Sequence, residues 1–258
     1  MYLSVFIKKM NAIILAAGLG TRLRPITDNI PKALIEVEGE PMLSRIIRNL
    51  ENCGCNKICI NVHHLGEKII DFIRVNNFTA QICISDEREF LLDTGGGVIQ
   101  AYKVLNSNSP ALVHNVDIIT NCDLRRLYER HVVGKSGATL LVSDRESTRH
   151  LVFDDCLNLK GWHDVAKNKW RPQDFCHKND DKEFAFSGIY VIDKTGIKEM
   201  EDIMNIKNFP IMDYFLSPER KNKIRGIVED DIEILDIGKP ASLLQAPDIL
   251  YKIGLNNQ

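Results

Sequence analysis

The chain has 258 residues, 44% of them hydrophobic and 26% charged, a balance that suits a soluble globular protein with ample material for a buried core. Its formal net charge of −2 provides no basic stripe, so bulk electrostatic binding to nucleic acid or an anionic membrane is not expected. Seven scattered cysteines read as reduced thiols, and no apolar run approaches the ~20 residues of a bilayer span, which together predict a cytoplasmic protein.

Residues 1–9 are too short for a signal peptide, and their charges follow the apolar stretch instead of preceding it. They read as a tail or start-site extension ahead of Met10. Ala12-Ile-Ile-Leu-Ala-Ala17 is a continuous apolar run stopped by Gly18, the pattern of a strand buried on both faces. Pro41 opens a helical pattern with Met42, Leu43, Ile46, Ile47 and Leu50 on one face and Gly54 as its stop. Strands follow at residues 57–62, 81–84, 111–115 and 138–142, with helices at 67–76, 98–105 and 124–133 between them. Cys53, Cys55, Cys59, His63 and His64 do not have the spacing of a paired-ligand zinc site, and Cys59 reads as a small hydrophobe within a strand.

Residues 143–183 are polar and weakly periodic, which suggests loops or a small antiparallel insertion. A strand returns at 184–192, and residues 239–253 read as a closing helix. Strands alternating with helices of about ten residues predict an α/β fold, a doubly wound, mostly parallel, Rossmann-like sheet with helices on both faces. One domain over 10–258 is the simplest account. In such sheets ligands bind at the carboxyl ends of strands, which directs attention to the segments after residues 17 and 115.

The strongest chemical signal is Leu15-Ala-Ala-Gly-Leu-Gly-Thr-Arg-Leu-Arg-Pro25, followed by Pro31-Lys32. Glycines at 18 and 20 let the backbone approach a ligand and aim successive N–H groups at one anion. Arg22 and Lys32 add a rigid fork and a mobile point charge to a site whose overall field is weak. A dinucleotide fingerprint would need glycine where Leu23 stands, and the Gly-Lys-Ser/Thr of a P-loop is missing from this run. Asp117 ends an apolar strand where packing needs no carboxylate. A helix cap is the blander reading of that residue, but Asp123 is better placed to cap the helix that starts at Leu124.

Residues 15–42, LAAGLGTRLRPITDNIPKALIEVEGEPM, resemble the opening signature of the sugar-nucleotide pyrophosphorylases, the sugar-1-phosphate nucleotidyltransferases. The resemblance extends over nearly the whole chain. Leu92-Asp-Thr-Gly-Gly-Gly-Val98 looks like the family's second glycine-rich segment, Val113-His-Asn-Val-Asp117 like its strand-end aspartate, Phe186-Ser-Gly-Ile-Tyr190 like its sugar-binding strand, and Ile234-Leu-Asp-Ile-Gly-Lys-Pro240 like its late Asp-x-Gly turn. It implies transfer of a nucleotidyl group from an NTP to a sugar 1-phosphate, with release of pyrophosphate and no covalent intermediate. Catalysis would fall to Arg22 and Lys32. Nucleotide binding would fall to Leu15, Ala16, Ala17, Gly18, Gly20, Thr21 and Arg22, with Thr94, Gly95 and Gly96 forming a base pocket edged mostly by backbone. Asn115, Ser187 and Gly188 would meet the sugar in the antiparallel insertion, and Asp117 and Asp236 would hold Mg²⁺.

Two departures stand out. Val116 replaces the glycine that usually precedes the metal aspartate, and the Glu-Lys-Pro motif whose lysine meets the sugar phosphate has no counterpart between 150 and 183. Lys160, Lys167 and Lys169 are candidates for that role without a warrant. Among substrates, the resemblance favours UTP with an N-acetylmuramic acid 1-phosphate-like sugar, then GTP with mannose 1-phosphate, then a phosphocholine-type cytidylyl transfer. A non-catalytic nucleotide-sensing module is the alternative of another class. Neither nucleic acid nor membrane is an expected partner, and oligomeric state is left open.

Overall fold

The computed structural model describes residues 9–229 and 232–254. The expected extension over 1–9 therefore lies outside the described residues except for Lys9. The chain enters the sheet at Met10, where β1 (Met10–Leu15) begins. Three short 3₁₀ turns carry residues 21–34, and a two-residue hairpin of β2 (Glu36–Val37) and β3 (Glu40–Pro41) leads into α1 (Met42–Asn52). Then follow β4 (Cys55–Val62), α2 (Gly66–Val75), β5 (Gln81–Asp86), α3 (Asp93–Leu105), β6 (Ala111–Asn115), β7 (Ile118–Thr120), α4 (Leu124–Gly134) and β8 (Ala138–Ser143). Asp123 caps α4 as expected, its side chain accepting the Arg126 N–H at 2.9 Å.

β1 lies between β4 and β6 and is parallel to both, and β5 extends the parallel set beyond β4. β1, β4 and β6 are near-continuous buried runs because helices cover both faces. On one face Leu43, Ile47 and Leu50 of α1 meet Ile58 and Ile60; on the other Val98, Ala101 and Leu105 of α3 meet Ile13 and Val113.

The polar middle is the small antiparallel layer, β9 (Arg149–Phe153), β10 (Leu159–Asp164) and β11 (Lys169–Arg171). It joins the main sheet through β12 (Lys182–Ile192), whose first residues pair with β9 and whose last pair with β6 and β8. The remaining elements are α5 (Lys194–Ile203), α6 (Ile211–Phe215), β13 (Ile224–Val228), β14 (Ile234–Asp236) and α7 (Pro240–Lys252). β13 runs parallel to β8, while β14 leaves the main sheet to pair antiparallel with β7.

One structural detail differs from expectation. The helix expected from Val98 begins five residues earlier, at Asp93, so Thr94, Gly95 and Gly96 lie in its first turns and not in a loop. The cysteine and histidine group is dispersed by backbone contacts: His63 Nδ1 meets the Glu87 carbonyl at 2.6 Å and His64 Nε2 the Thr27 carbonyl at 3.4 Å.

Candidate active site

A cleft opens at the carboxyl ends of β1, β4 and β6, bordered by Leu15, Ala17 and Gly18 on one side, Leu91, Asp93 and Thr94 on another, and Lys32, Asn115 and Asp117 at its floor. The first glycine segment is shaped by two different demands. Gly20 has φ +64°, and a Cβ there would stand 2.8 Å from Thr27 Cγ2, so it is glycine for backbone conformation and fit. The Gly20 carbonyl accepts from Thr27 Oγ1 at 2.8 Å and from the Leu23 N–H at 2.9 Å. Gly18 has nothing within 4 Å of a Cβ position and leaves open space where a ligand could approach. Ala16 is packed in the core, and its N–H and that of Ala17 point to Asn61 Oδ1 at 2.7 and 3.3 Å. Amides for an anion must therefore come from Gly18 onward, through the exposed Thr21 and Arg22.

The two expected metal carboxylates come together by strand pairing. β14 places Asp236 opposite Ile118, and the Ile237 N–H donates to the Asp117 carbonyl at 3.0 Å. Lys32 Nζ makes an ion pair with Asp117 Oδ2. Asp236 Oδ1 accepts the Gly238 N–H at 2.7 Å. Gly238 is the crossing point of the cluster: a Cβ there would lie 2.6 Å from Arg22 Nη2, 2.7 Å from Asp236 Oδ1 and 2.9 Å from Lys32 Nζ. Burial first, and the neighbouring Asp117 carboxylate second, push the Asp236 carboxyl above the usual carboxylate range, against the pull of the Gly238 N–H and Lys32.

The second glycine segment corrects the expected base pocket. Gly95 and Gly96 face away from the cleft: a Cβ on Gly95 would enter the Phe209 ring, and one on Gly96 would strike the Lys207 carbonyl. The Gly95 N–H already donates to the Phe209 carbonyl at 2.9 Å. These glycines exist so that the 207–209 segment can lie against α3. Thr94 does border the cleft, although its Oγ1 accepts the Ile211 N–H at 2.9 Å.

The sugar strand is likewise only partly as expected. Ser187 is 1% exposed, its hydroxyl donates to the Leu141 carbonyl at 2.8 Å and accepts the Ile189 N–H at 3.2 Å. Its role is to hold the irregular turn of β12 between Phe186 and Tyr190, not to meet a sugar. Gly188, with φ +76°, lies against Asn115, whose Nδ2 would be 2.6 Å from a Cβ at that position. Asn115 stays at the cleft floor, and Val116 beside it is packed in the core at 4% exposure.

Three groups at or near this site were not singled out from the sequence. Asn61, a polar residue near the end of an apolar strand, carries the same signal that marked Asp117. Glu87 lies buried behind it, and burial pushes its carboxyl upward. Arg145 gave no pattern to read. Its Nη2 donates to the Phe186 carbonyl at 3.1 Å, its Nε is buried with no protein partner, and Asp236 is the charge that offsets the lowering of its pKa by burial. Lys160 instead pairs with Asp181 at 3.5 Å in the antiparallel layer, and Lys167 and Lys169 are exposed there.

The nucleotidyl transferase family profile matches residues 11–251. The N-acetylmuramate alpha-1-phosphate uridylyltransferase of Caulobacter vibrioides is 38% identical over 111 residues, 42% of this chain and 46% of that protein. The enzyme of the same description from Neisseria meningitidis serogroup B is 37% identical over 121 residues, 46% of this chain and 52% of that protein. A mannose-1-phosphate guanyltransferase of Pichia angusta is 35% identical over 137 residues, 52% of this chain and 37% of that protein. The chain thus spans about half the length of the first two relatives, or less of the third. Among solved structures, HddC from Yersinia pseudotuberculosis complexed with GMP-PN superposes with a TM-score of 0.73 at 23% identity, covering 93% of this chain and 98% of that one, a likeness of fold.

Proposed function

The chain belongs to the nucleotidyl transferase family, and from that premise we propose that it transfers a nucleotidyl group from an NTP to a sugar 1-phosphate, releasing pyrophosphate. The observation that carries this reading is the convergence of Arg22, Lys32 and Asp236 on Gly238, beside Asp117 and below the Gly18–Gly20 loop.

Two facing carboxylates, one of them destabilised as an anion by the other, fit a divalent cation. Asp117 and Asp236 would hold Mg²⁺, which characteristically takes one or two carboxylates and fills its remaining positions with phosphate oxygens and water. When bound, it supplies charge neutralisation between the two phosphates that must approach each other.

The chain's own groups do the rest. The loop from Gly18 to Thr21 holds the triphosphate, while Arg22 and Lys32 stabilise charge at the α-phosphorus and on the leaving pyrophosphate. The sugar phosphate oxygen attacks in line; it is already ionised at neutral pH, so the site needs no general base. Arg145, with its unpartnered Nε beside the Phe186–Gly188 turn, is the cation offered to the second phosphate. It takes the role that the antiparallel-layer lysines do not reach.

For substrates, the Caulobacter and Neisseria relatives support UTP with an N-acetylmuramic acid 1-phosphate-like sugar. The Pichia relative supports GTP with mannose 1-phosphate as the second reading. A pyrophosphate-release screen of the four NTPs against a panel of sugar 1-phosphates tests both. UDP-sugar formation supports the first reading, a GDP-sugar made from mannose 1-phosphate transfers the case to the second, and no turnover with any pair rejects the catalytic reading.

A further inference from the structure

The two glycine-rich segments border different sides of the cleft, yet both are tied to one buried side-chain pair that the reaction above leaves unused. Asn61 and Glu87 are each 2% exposed. Asn61 Oδ1 accepts the N–H groups of Ala16 and Ala17, and its Nδ2 donates to Glu87 Oε1 at 2.8 Å. Glu87 Oε2 accepts the Leu92 N–H at 3.1 Å, one residue before α3. The Glu87 backbone is itself fixed, its N–H donating to the Val62 carbonyl at 2.8 Å and its carbonyl meeting His63 Nδ1. Gly97 seals the pair, since a Cβ there would stand 2.8 Å from Asn61 Nδ2 and 3.0 Å from Glu87 Oε1. Every polar atom has a fixed sense: the asparagine oxygen accepts, its amide donates, and both glutamate oxygens accept.

We propose that Asn61 and Glu87 are positioning residues that clamp Ala16–Ala17 to Leu92, and so set the separation at which the first loop and the head of α3 receive the nucleotide. This role rests on the reading that the cleft takes an NTP. A buried carboxylate is destabilising unless its bonds are satisfied, so it makes poor filler. Here its two oxygens reach two segments at once, which one hydrophobic contact would not do. Burial raises the Glu87 pKa, and the Asn61 and Leu92 donors oppose that rise.

The sense of the bonds gives a test by reversal. Glu87→Gln turns one acceptor into a donor, which must then face either Asn61 Nδ2 or the Leu92 N–H. Asn61→Asp sets two carboxylates against each other. In the double variant N61D/E87Q the introduced aspartate accepts from the Ala16 and Ala17 amides and from the introduced glutamine amide, whose oxygen still accepts from Leu92. Each single variant should raise the Kd for Mg-UTP, read by calorimetry, and the KM for UTP by roughly tenfold. Their kcat at saturating UTP should stay within about threefold of wild type, because binding geometry and not the charge cluster is disturbed. The double variant should return UTP affinity to near the wild-type value. In parallel, hydrogen exchange at the Ala16, Ala17 and Leu92 amides should accelerate together in each single variant and slow again in the double.

Single variants that bind UTP like wild type overturn the role alone, whatever their exchange rates. Wild-type protein that binds neither UTP nor GTP overturns the nucleotide reading and this role with it. If a single variant does not fold, the reversed pair carries the test: a folded N61D/E87Q protein with wild-type affinity supports the clamp, and one that misfolds or binds weakly overturns it.

Discussion

Asp236 has an unfavourable environment for a charge, because burial and a facing carboxylate both oppose its ionisation. A carboxyl whose pKa is raised on folding stabilises the native state while protonated, and that stability is lost as pH rises through the native value. Above the ordinary carboxylate range the raised value is a net burden on the fold, which a bound cation relieves. Asp236→Asn retains an acceptor for the Gly238 N–H and removes the burden. In EDTA its melting temperature should equal or exceed that of wild type, while turnover with Mg²⁺ falls on the order of 10²-fold. A clear loss of thermal stability would assign Asp236 to the fold instead of the metal. The two loop glycines separate in the same way. Gly18→Ala meets nothing within 4 Å, so thermal unfolding should not change while the Kd for Mg-UTP rises several-fold. Gly20→Val must force a β-branched side chain to a positive φ against Thr27, and should cost roughly 2–4 kcal/mol in denaturant unfolding as well as nucleotide binding.

At the scale of elements, the strands of the parallel half were legible because burial on both faces writes them as unbroken apolar runs. The chemistry at one carboxyl end was legible for a related reason: Asp117 follows such a run where packing gives no cause, whereas Asn115 was named through the resemblance. What escaped is short or paired at long range. β7 and β14 are three residues each, and only their mutual pairing brings Asp236 to Asp117 across more than a hundred residues. Local pattern does not encode such a match, and Asp236 was named beside Asp117 through the resemblance. The run of three glycines fell outside the expected helix, as glycine's poor helix propensity favours, and the base pocket placed on it came from the resemblance. Its environment explains the glycines differently: α3 must let the backbone at Lys207 and the ring of Phe209 come close. Gly96→Ala should therefore destabilise the fold by about 1–3 kcal/mol by chemical denaturation, with little effect on the ratio of UTP to GTP affinity. A changed base preference at unchanged stability would restore the base-pocket reading of Gly96.

For the molecule as a whole, the layered sheet buries two histidines that the proposed reaction does not use. His114 is 1% exposed on β6 and His131 is 2% exposed on α4, where its Nδ1 meets Thr139 Oγ1 at 2.9 Å. Burial pushes both down to about 4, against the Asn115 carbonyl for the first and Asp193 for the second. The sign follows from which state holds the proton. Below the ordinary histidine value near 6.5 the unfolded chain binds a proton at each position, whereas the native fold does not until about pH 4. Stability is complete above that ordinary value and is lost as pH falls toward the native one, by roughly 2 kcal/mol per histidine at about pH 5. Carboxyls with lowered values, such as Asp154, begin to act only near and below about pH 4, so they leave this window clear. Asp236 and Glu87, raised by burial, gain stability as pH falls and work against the trend. Urea unfolding of wild type at about pH 7 and about pH 5 should show a net loss of a few kcal/mol, and the loss should shrink by about half in His114→Leu, which places an apolar side chain in an apolar layer. An undiminished pH slope in that variant would show that His114 takes its proton in the folded state, and that the sheet admits charge where its burial says it does not.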